Sequence, residues 1–303
     1  MTGLLESDNE FRVVLGNGWY KGKFGLSCAE HPERPYGLLA ELVITYVDGT
    51  VQVIGTDDTF ETRNSRYVVN SIYDGETQDN TAPADVWTKA SVIEPLSKTV
   101  DRYSLPLHVM EELPVKEIIR TPKGETVLDF GQNFAGFVRV TADVPQGTTL
   151  KLEFGELLQE GNFFHDNYRT AKSEFVYVSD GTHEVIEPRF TFFGFRYVKV
   201  SGLENVKAED FTGCVLYSEM EQTGSITTGH AKVDRLFLNS LWGQKSNFID
   251  MPMDCPQRDE RLGWCGDAMV FSTTAGFHMD TKAFYRKFLR QLRLDQQKNG
   301  GRV

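Results

Sequence analysis

Between positions 247 and 267 the chain gathers five carboxylates (Asp250, Asp254, Asp259, Glu260 and Asp267), two arginines (Arg258 and Arg261) and Trp264. A solvated charge run would not be interleaved with Phe248, Ile249, Pro252, Leu262 and Trp264. Pro252, Pro256, Gly263 and Gly266 make the stretch a loop between two helical patterns. Loops held on a rigid scaffold are where polar sites are built. Carboxyl groups this dense push one another's ionisation apart, so that one stays protonated as an acid while its neighbours stay ionised. An indole among carboxylates suits a sugar: the ring covers the apolar face of a pyranose and the acids bridge its hydroxyls. The same residues without chemistry would form an ion-paired structural loop.

Other clusters are weaker. Gly16-Asn-Gly-Trp-Tyr-Lys-Gly-Lys23 has the look of a phosphate loop but fails both templates. Lys21 stands where a dinucleotide fingerprint needs Gly, and neither Ser nor Thr follows Lys23. It reads as a glycine-rich strand connection. Glu153 and Glu156 are close enough to suggest a catalytic pair, but they end an alternating strand and are expected to point to solvent. The histidines (31, 108, 165, 183, 230 and 278) make no ligand cluster. Cys255 and Cys265 have neither zinc-knuckle nor redox spacing. No metal and no cofactor is expected. Cys28, Cys214, Cys255 and Cys265 read as free thiols, with a Cys255–Cys265 disulfide as the alternative. Sparse cysteine favours a reducing compartment, the cytoplasm, without fixing whether the protein is exported.

The elements that must carry the acidic loop fall into two kinds. Leu42–Val47 and Thr50–Ile54 around Asp48-Gly49 read as a hairpin whose tight turn puts both central residues at positive φ. Val138 and Val140 alternate with Arg139 and Thr141, Leu150, Leu152 and Phe154 with Lys151 and Glu153, and Phe195–Val200 follows the aromatic run Phe190, Phe192, Phe193. One wet and one buried face per strand is the pattern of antiparallel sandwiches. Residues 81–114, with Pro83, Pro95, Pro106 and Pro114, read as a loose join between two β-domains. Phe11–Leu15 reads as a strand with nothing before it to pair. Near residue 222 the period turns helical. Val233, Leu236, Phe237 and Leu241 share one face, and further helices are expected over about 267–277 and 281–297.

The net charge of −11 argues against a nucleic-acid partner, which needs a basic face. No run of about 18 apolar residues is present to span a membrane. Three helices with wide apolar stripes do not enclose a core of their own. The sequence therefore reads as an interior piece of a longer enzyme with its true N-terminus missing. An oligomer is compatible with it.

Taken whole, Asp254-Cys-Pro-Gln-Arg-Asp-Glu-Arg-Leu-Gly-Trp-Cys-Gly-Asp267 resembles the signature of the bacterial α-L-rhamnosidases, glycoside hydrolase family 78, with Cys265 where Thr is usual. Asn17-Gly-Trp-Tyr-Lys-Gly22 and Ile72-Tyr-Asp-Gly-Glu76 are similar to the family's accessory N-terminal β-domain. Val127–Gly136 and Glu187–Tyr197 are similar to its second β-sandwich. The resemblance implies two antiparallel β-sandwich domains, 1–95 and 96–221, followed by the first helices of an (α/α)6 catalytic barrel at 222–303. It implies inverting hydrolysis of a terminal α-L-rhamnoside, in an oligosaccharide or another glycoside. It places the general acid on Glu260, rhamnose contacts on Asp254, Arg258 and Asp267, and Trp264 in the sugar-binding wall. The general base is expected beyond Val303, so the piece alone is expected to be inactive. Two alternatives stand beside this reading. One is an inverting (α/α)6 glycosidase for another terminal sugar. The other is a carbohydrate-binding β-sandwich protein without catalysis.

Overall fold

The computed structural model describes residues 6, 8–25, 29–83, 85–94, 98–182 and 184–302. Cys28, Pro95 and His183 lie outside the described residues. In chain order the elements are a one-turn helix α1 (Gly18–Lys21), the hairpin β1 (Glu41–Thr45) and β2 (Val51–Gly55), then β3 (Glu61–Thr62), β4 (Tyr67–Ser71), β5 (Gly75–Asp79), β6 (Thr88–Lys89), β7 (Leu107–Pro114) and β8 (Glu117–Arg120). They continue with β9 (Thr126–Val140), β10 (Thr149–Gly155), β11 (Leu157–Gln159), β12 (Asn162–Phe164), β13 (Glu174–Val178), β14 (Phe193–Ser201) and β15 (Phe211–Ser218). Helix α2 (Ala231–Asn247), the short pair β16 (Phe248–Ile249) and β17 (Met251–Pro252), α3 (Cys265–His278) and α4 (Lys282–Lys298) complete the order. The chain is thus mostly β-sheet, followed by helices. None of these helices is long and apolar enough to cross a membrane among the described residues.

One nine-stranded sheet dominates, in the order β4-β5-β13-β10-β14-β9-β15-β7, with β8 pairing β9 as well. The strands are antiparallel except for β13 beside β5. The alternation in the sequence is the buried face of this sheet. Leu150, Leu152 and Phe154 are fully buried while Lys151 and Glu153 are not. Phe154 stacks on Phe193 of the neighbouring strand, ring centroids 3.8 Å apart and nearly parallel. Phe130, Phe134 and Phe195 close round them edge-on or tilted. Opposite the Phe195–Tyr197 step of β14, the β9 partner jumps from Phe134 to Asp129, so the ladder is bulged there. That bulge also breaks the strict alternation of β14 at Arg196-Tyr197. Bulges increase the local twist and re-aim side chains.

Several expectations change on folding. The hairpin forms, but of Asp48 and Gly49 only Gly49 takes a positive φ, and Asp48 Oδ1 instead accepts from Thr50 N and Oγ1. The loop therefore runs from Tyr46 to Thr50, closed by Tyr46 N–H donating to Thr50 O. Leu107–Pro114, read as part of a loose join, is the edge strand β7 paired with β15. Strands β4 and β5, on the N-terminal side of residue 95, join the same sheet as the strands that follow. Phe11–Leu15 forms no strand among the described residues.

The helices lie where the period puts them, though their apolar faces are only partly covered. Leu241 is buried, whereas Leu236 is 68% and Val270 78% exposed. Helix α2 rests on β9 and β15. There Lys245 Nζ pairs with Glu111 at 2.6 Å, and the Tyr217 hydroxyl donates to the same carboxylate at 2.8 Å. Phe248 stacks on Phe284, with centroids 4.6 Å apart, and brings α4 against the β16–β17 turn. The sheet and the helices are thereby one packed body around the acidic loop.

Phe154→Ala should cost about 3–5 kcal/mol, because it removes a ring packed on all sides and leaves a cavity between β10 and β14. Chemical denaturation followed by circular dichroism measures this.

Candidate active site

The acidic loop begins at Asp250, whose φ of 65° is unusual for a residue with a side chain. Lys287 of α4 holds that conformation, donating to both the main-chain oxygen (2.9 Å) and Oδ2 (2.6 Å) of Asp250. Ser218, at the end of β15, accepts from Asp250 N–H at 2.8 Å. The chain then runs through Met253 and folds back on itself. Asp254 N–H donates to Leu262 O at 3.1 Å, and Leu262 N–H donates to Asp254 Oδ1 at 2.9 Å. Residues 254–262 are therefore a closed loop with the Asp254 carboxylate as its clasp.

Arg261 nails this loop to the sheet. It is fully buried, with a φ of 49°. Its Nη1 donates to Ile72 O (2.7 Å) and Phe192 O (2.8 Å), outside the loop. Nε and Nη2 donate to Arg258 O (3.0 Å) and Gln257 O (3.1 Å) inside it. Its cation also lies over the Tyr73 and Phe192 rings. Burial pulls the Arg261 pKa down to about 10, still well above neutral pH, so the guanidinium stays charged. Tyr73, fully buried, donates from its hydroxyl to Glu260 O at 2.8 Å and accepts from Gly25 N–H. The fit is close: a Cβ on Gly194 would come within 2.7 Å of Pro256.

Four of the five residues singled out from the sequence form one network. Arg258 Nη2 donates to Asp254 Oδ2 at 3.2 Å and lies 3.6 Å from Glu260 Oε2. Trp264 Nε1–H donates to Glu260 Oε1 at 3.0 Å, and Trp264 is 43% exposed. Asp267 is placed differently. It sits in the first turn of α3, where a helix N-terminus favours a carboxylate. It lines a cavity of about 610 Å³ between α2 and α3 together with Asp254, Asn247, Gln244 and Phe271. Asp254 belongs to both the network and the cavity wall. Asp254, Cys255 and Glu260 bring ligand atoms within 4.8 Å of one another. The Arg258 guanidinium already sets a positive charge against two of them.

The third-party contacts come from the sheet. Arg169, in the turn after β12 and at φ 61°, places Nη1 3.0 Å from Glu260 Oε2 and 3.7 Å from Asp259 Oδ1. Thr170 donates to Asp259 Oδ2 from both its N–H and its hydroxyl. Glu156 does not point to open solvent, as expected, but accepts from Gln257 and Asn133, each at 2.8 Å. Glu153 pairs with Lys199 at 2.7 Å. Both glutamates are consequently structural here.

Cys214, Cys255 and Cys265 are free thiols, and no Cys255–Cys265 bridge forms. Cys255 is buried, which pushes its thiol pKa up, while Cys265 is exposed at the start of α3.

Three family models together run along the whole chain. The α-L-rhamnosidase N-terminal domain matches residues 1–121, the bacterial α-L-rhamnosidase concanavalin-like domain 119–217, and the bacterial α-L-rhamnosidase six-hairpin glycosidase domain 221–303. The chain belongs to the bacterial α-L-rhamnosidase family. An α-L-rhamnosidase of Formosa agariphila is 36% identical over 99% of this chain and 35% of its own length. One from an Alteromonas species is 34% identical over 99% of this chain and 34% of its own. The chain thus spans about a third of the length of the curated rhamnosidases it matches. Among solved structures, the Aspergillus terreus α-L-rhamnosidase superposes with a TM-score of 0.86 at 32% identity, covering 94% of this chain and 35% of that one. The Streptomyces avermitilis α-L-rhamnosidase complexed with L-rhamnose gives 0.84 at 34% identity, covering 92% and 29%.

Within this rhamnosidase fold, the loop is legible in the sequence and its supports are not. Arg169, Thr170 and Tyr73 are about 90 to 190 residues from the loop positions they touch. Arg261 stands inside the signature, yet nothing in its spacing marks it as the buried member. Its one sequence signal is that it lies directly before Leu262-Gly263-Trp264, in the apolar part of the loop.

Two outcomes are expected. Arg261→Lys should lower stability by about 2–4 kcal/mol, because an ammonium cannot reach all of those carbonyls and leaves buried acceptors unpaired. Urea unfolding measures it. Iodoacetamide on the native protein should label Cys265 and spare Cys255, and mass spectrometry of the peptides should show Cys255 labelled only after denaturation.

Proposed function

We propose that residues 1–303 carry the acid side of an enzyme that hydrolyses terminal α-L-rhamnose from oligosaccharides or other glycosides with inversion. Glu260 is the general acid. Asp254, Arg258 and Asp267 hold the sugar, and Trp264 covers its apolar face. The observation that carries this is the fixed Glu260 carboxyl, held by an exposed indole beside a cavity with two aspartates on its wall. In an inverting hydrolase a second carboxylate, roughly 6.5–9.5 Å from the acid, activates a water. We assign that base to residues outside 1–303. The matching architecture is a division at 1–95, 96–221 and 222–303: two β-sandwich units, the first lending β4 and β5 to the main sheet, and the opening helices of an (α/α)6 barrel. The Streptomyces avermitilis relative crystallised with L-rhamnose supports rhamnose over another sugar.

In the full-length protein, Glu260→Gln should lower kcat on a rhamnosyl disaccharide by about 10²–10⁴-fold. The loss should be smaller on nitrophenyl α-L-rhamnoside, whose leaving group departs with less help. Asp267→Asn should raise KM as well. Asp254→Asn should raise KM and also lower the melting temperature, because Asp254 is the clasp of the loop as well as a wall of the cavity. Near-normal turnover of the disaccharide by Glu260→Gln would move the acid to Asp254 or Asp267. Cleavage of a different terminal glycoside in place of rhamnosides would assign the other sugar. Binding of rhamnosides without cleavage would leave a carbohydrate-binding protein.

A further inference from the structure

The sheet sends one turn, residues 165–171, against the acidic loop. Tyr168 anchors it: fully buried, it donates to Gly194 O at 2.6 Å. From that anchor, consecutive residues meet consecutive acids. Thr170 binds Asp259, and Arg169 reaches Glu260. The division of labour is visible in the atoms. Thr170 docks the turn through N–H and hydroxyl, and the Arg169 guanidinium, 42% exposed, bears on Glu260 Oε2.

We propose that Arg169 is a positioning residue for the Glu260 carboxyl, contributed by the β-sheet unit to a site otherwise built from the helical side. The proposal rests on the reading of Glu260 as the acid. Trp264 Nε1–H donates to Oε1, and Oε2 is the oxygen that faces the two guanidinium groups. In the bond-breaking step the carboxyl O–H bond of Glu260 breaks and its proton goes to the glycosidic oxygen. The C–O bond to the anomeric carbon breaks at the same time, its electron pair stays with the leaving oxygen, and a water that gives a proton to the general base bonds to that carbon from the opposite face. Glu260 is left as a carboxylate. Its negative charge develops on the oxygen that faces Arg169 at 3.0 Å and Arg258 at 3.6 Å. Arg258 is shared with Asp254 at 3.2 Å and Arg169 with Asp259 at 3.7 Å, and at 3.0 Å against 3.6 Å Arg169 is the cation closer to Glu260. A fixed cation aimed at charge that appears only as the bond breaks stabilises the transition state more than the ground state. The benefit is largest where proton donation is most needed, on a poor leaving group.

The test uses the full-length protein and two substrates, a rhamnosyl disaccharide and nitrophenyl α-L-rhamnoside. Arg169→Met should lower kcat on the disaccharide about 10-fold or more while costing the nitrophenyl substrate only about 2-fold, with KM on each changed by less than about 3-fold. Arg169→Lys should restore most of the lost rate, since it returns the charge. The melting temperature of both variants should match the parent, because Tyr168 and Thr170 keep the turn docked. Equal losses on the two substrates, a change in KM alone, or no change in kcat would overturn the positioning role. So would a Lys variant no better than Met. If the unsubstituted protein cleaves neither rhamnoside, the assignment of Glu260 as the acid falls first, and the role of Arg169 falls with it.

Discussion

The site depends on one buried cation. Arg261 lies at the centre of a loop crowded with carboxylates, yet its hydrogen bonds go to main-chain carbonyls at Ile72, Phe192, Gln257 and Arg258. Carbonyl partners cannot protonate or swing away as a carboxylate can, so the clamp is insensitive to the chemistry around it. The arrangement also tolerates the left-handed backbone of Arg261 itself. Such strain persists only where the surroundings over-determine it. The neighbouring acids are held separately: Asp254 by Leu262, Asp259 by Thr170 and Asp250 by Lys287, while Glu260 meets the Trp264 indole and the guanidinium groups.

Around that clamp the loop is gripped from two sides. The sheet holds it through Tyr73, Gly194, Glu156 and the turn at Tyr168. The helices hold it through Lys287 on Asp250 and through the α3 start at Trp264. Neither grip alone would suffice. A loop fixed only by α3 would pivot about Trp264, and one fixed only by the sheet would leave Asp267 and the cavity wall unrelated to Glu260. Side chains locked by packing and secondary hydrogen bonds are what hold a reacting carboxyl within fractions of an ångström.

How much of this could be read from the sequence follows the range of the interactions. The loop announced itself because its composition is local, and the three helices because their period is local. Strand β7 was hidden by Pro106 and Pro114, which mark a loop in a linear reading. At a sheet edge proline is tolerated, since only one side of the strand must be paired. The exposed Leu236 shows a different limit: periodicity marks a face as apolar without saying what covers it. Strand alternation points Glu156 to solvent because it says nothing of a loop 101 residues later that folds over the strand end. Arg169 was beyond reach altogether, because its contact with Glu260 is set by a turn conformation and a partner 91 residues away.

The close seat of Pro256 on Gly194 has a consequence for descent. A strand of the sheet and the loop of the helical part meet where a single added carbon would collide. The two parts therefore constrain each other's sequence at that point. A recombinant that borrows a foreign sheet must also inherit a residue without a side chain at that position, or accept a displaced loop. The sheet is in this sense not an appendage of the helical part: the two are fitted to each other at a contact that a change on either side would disturb.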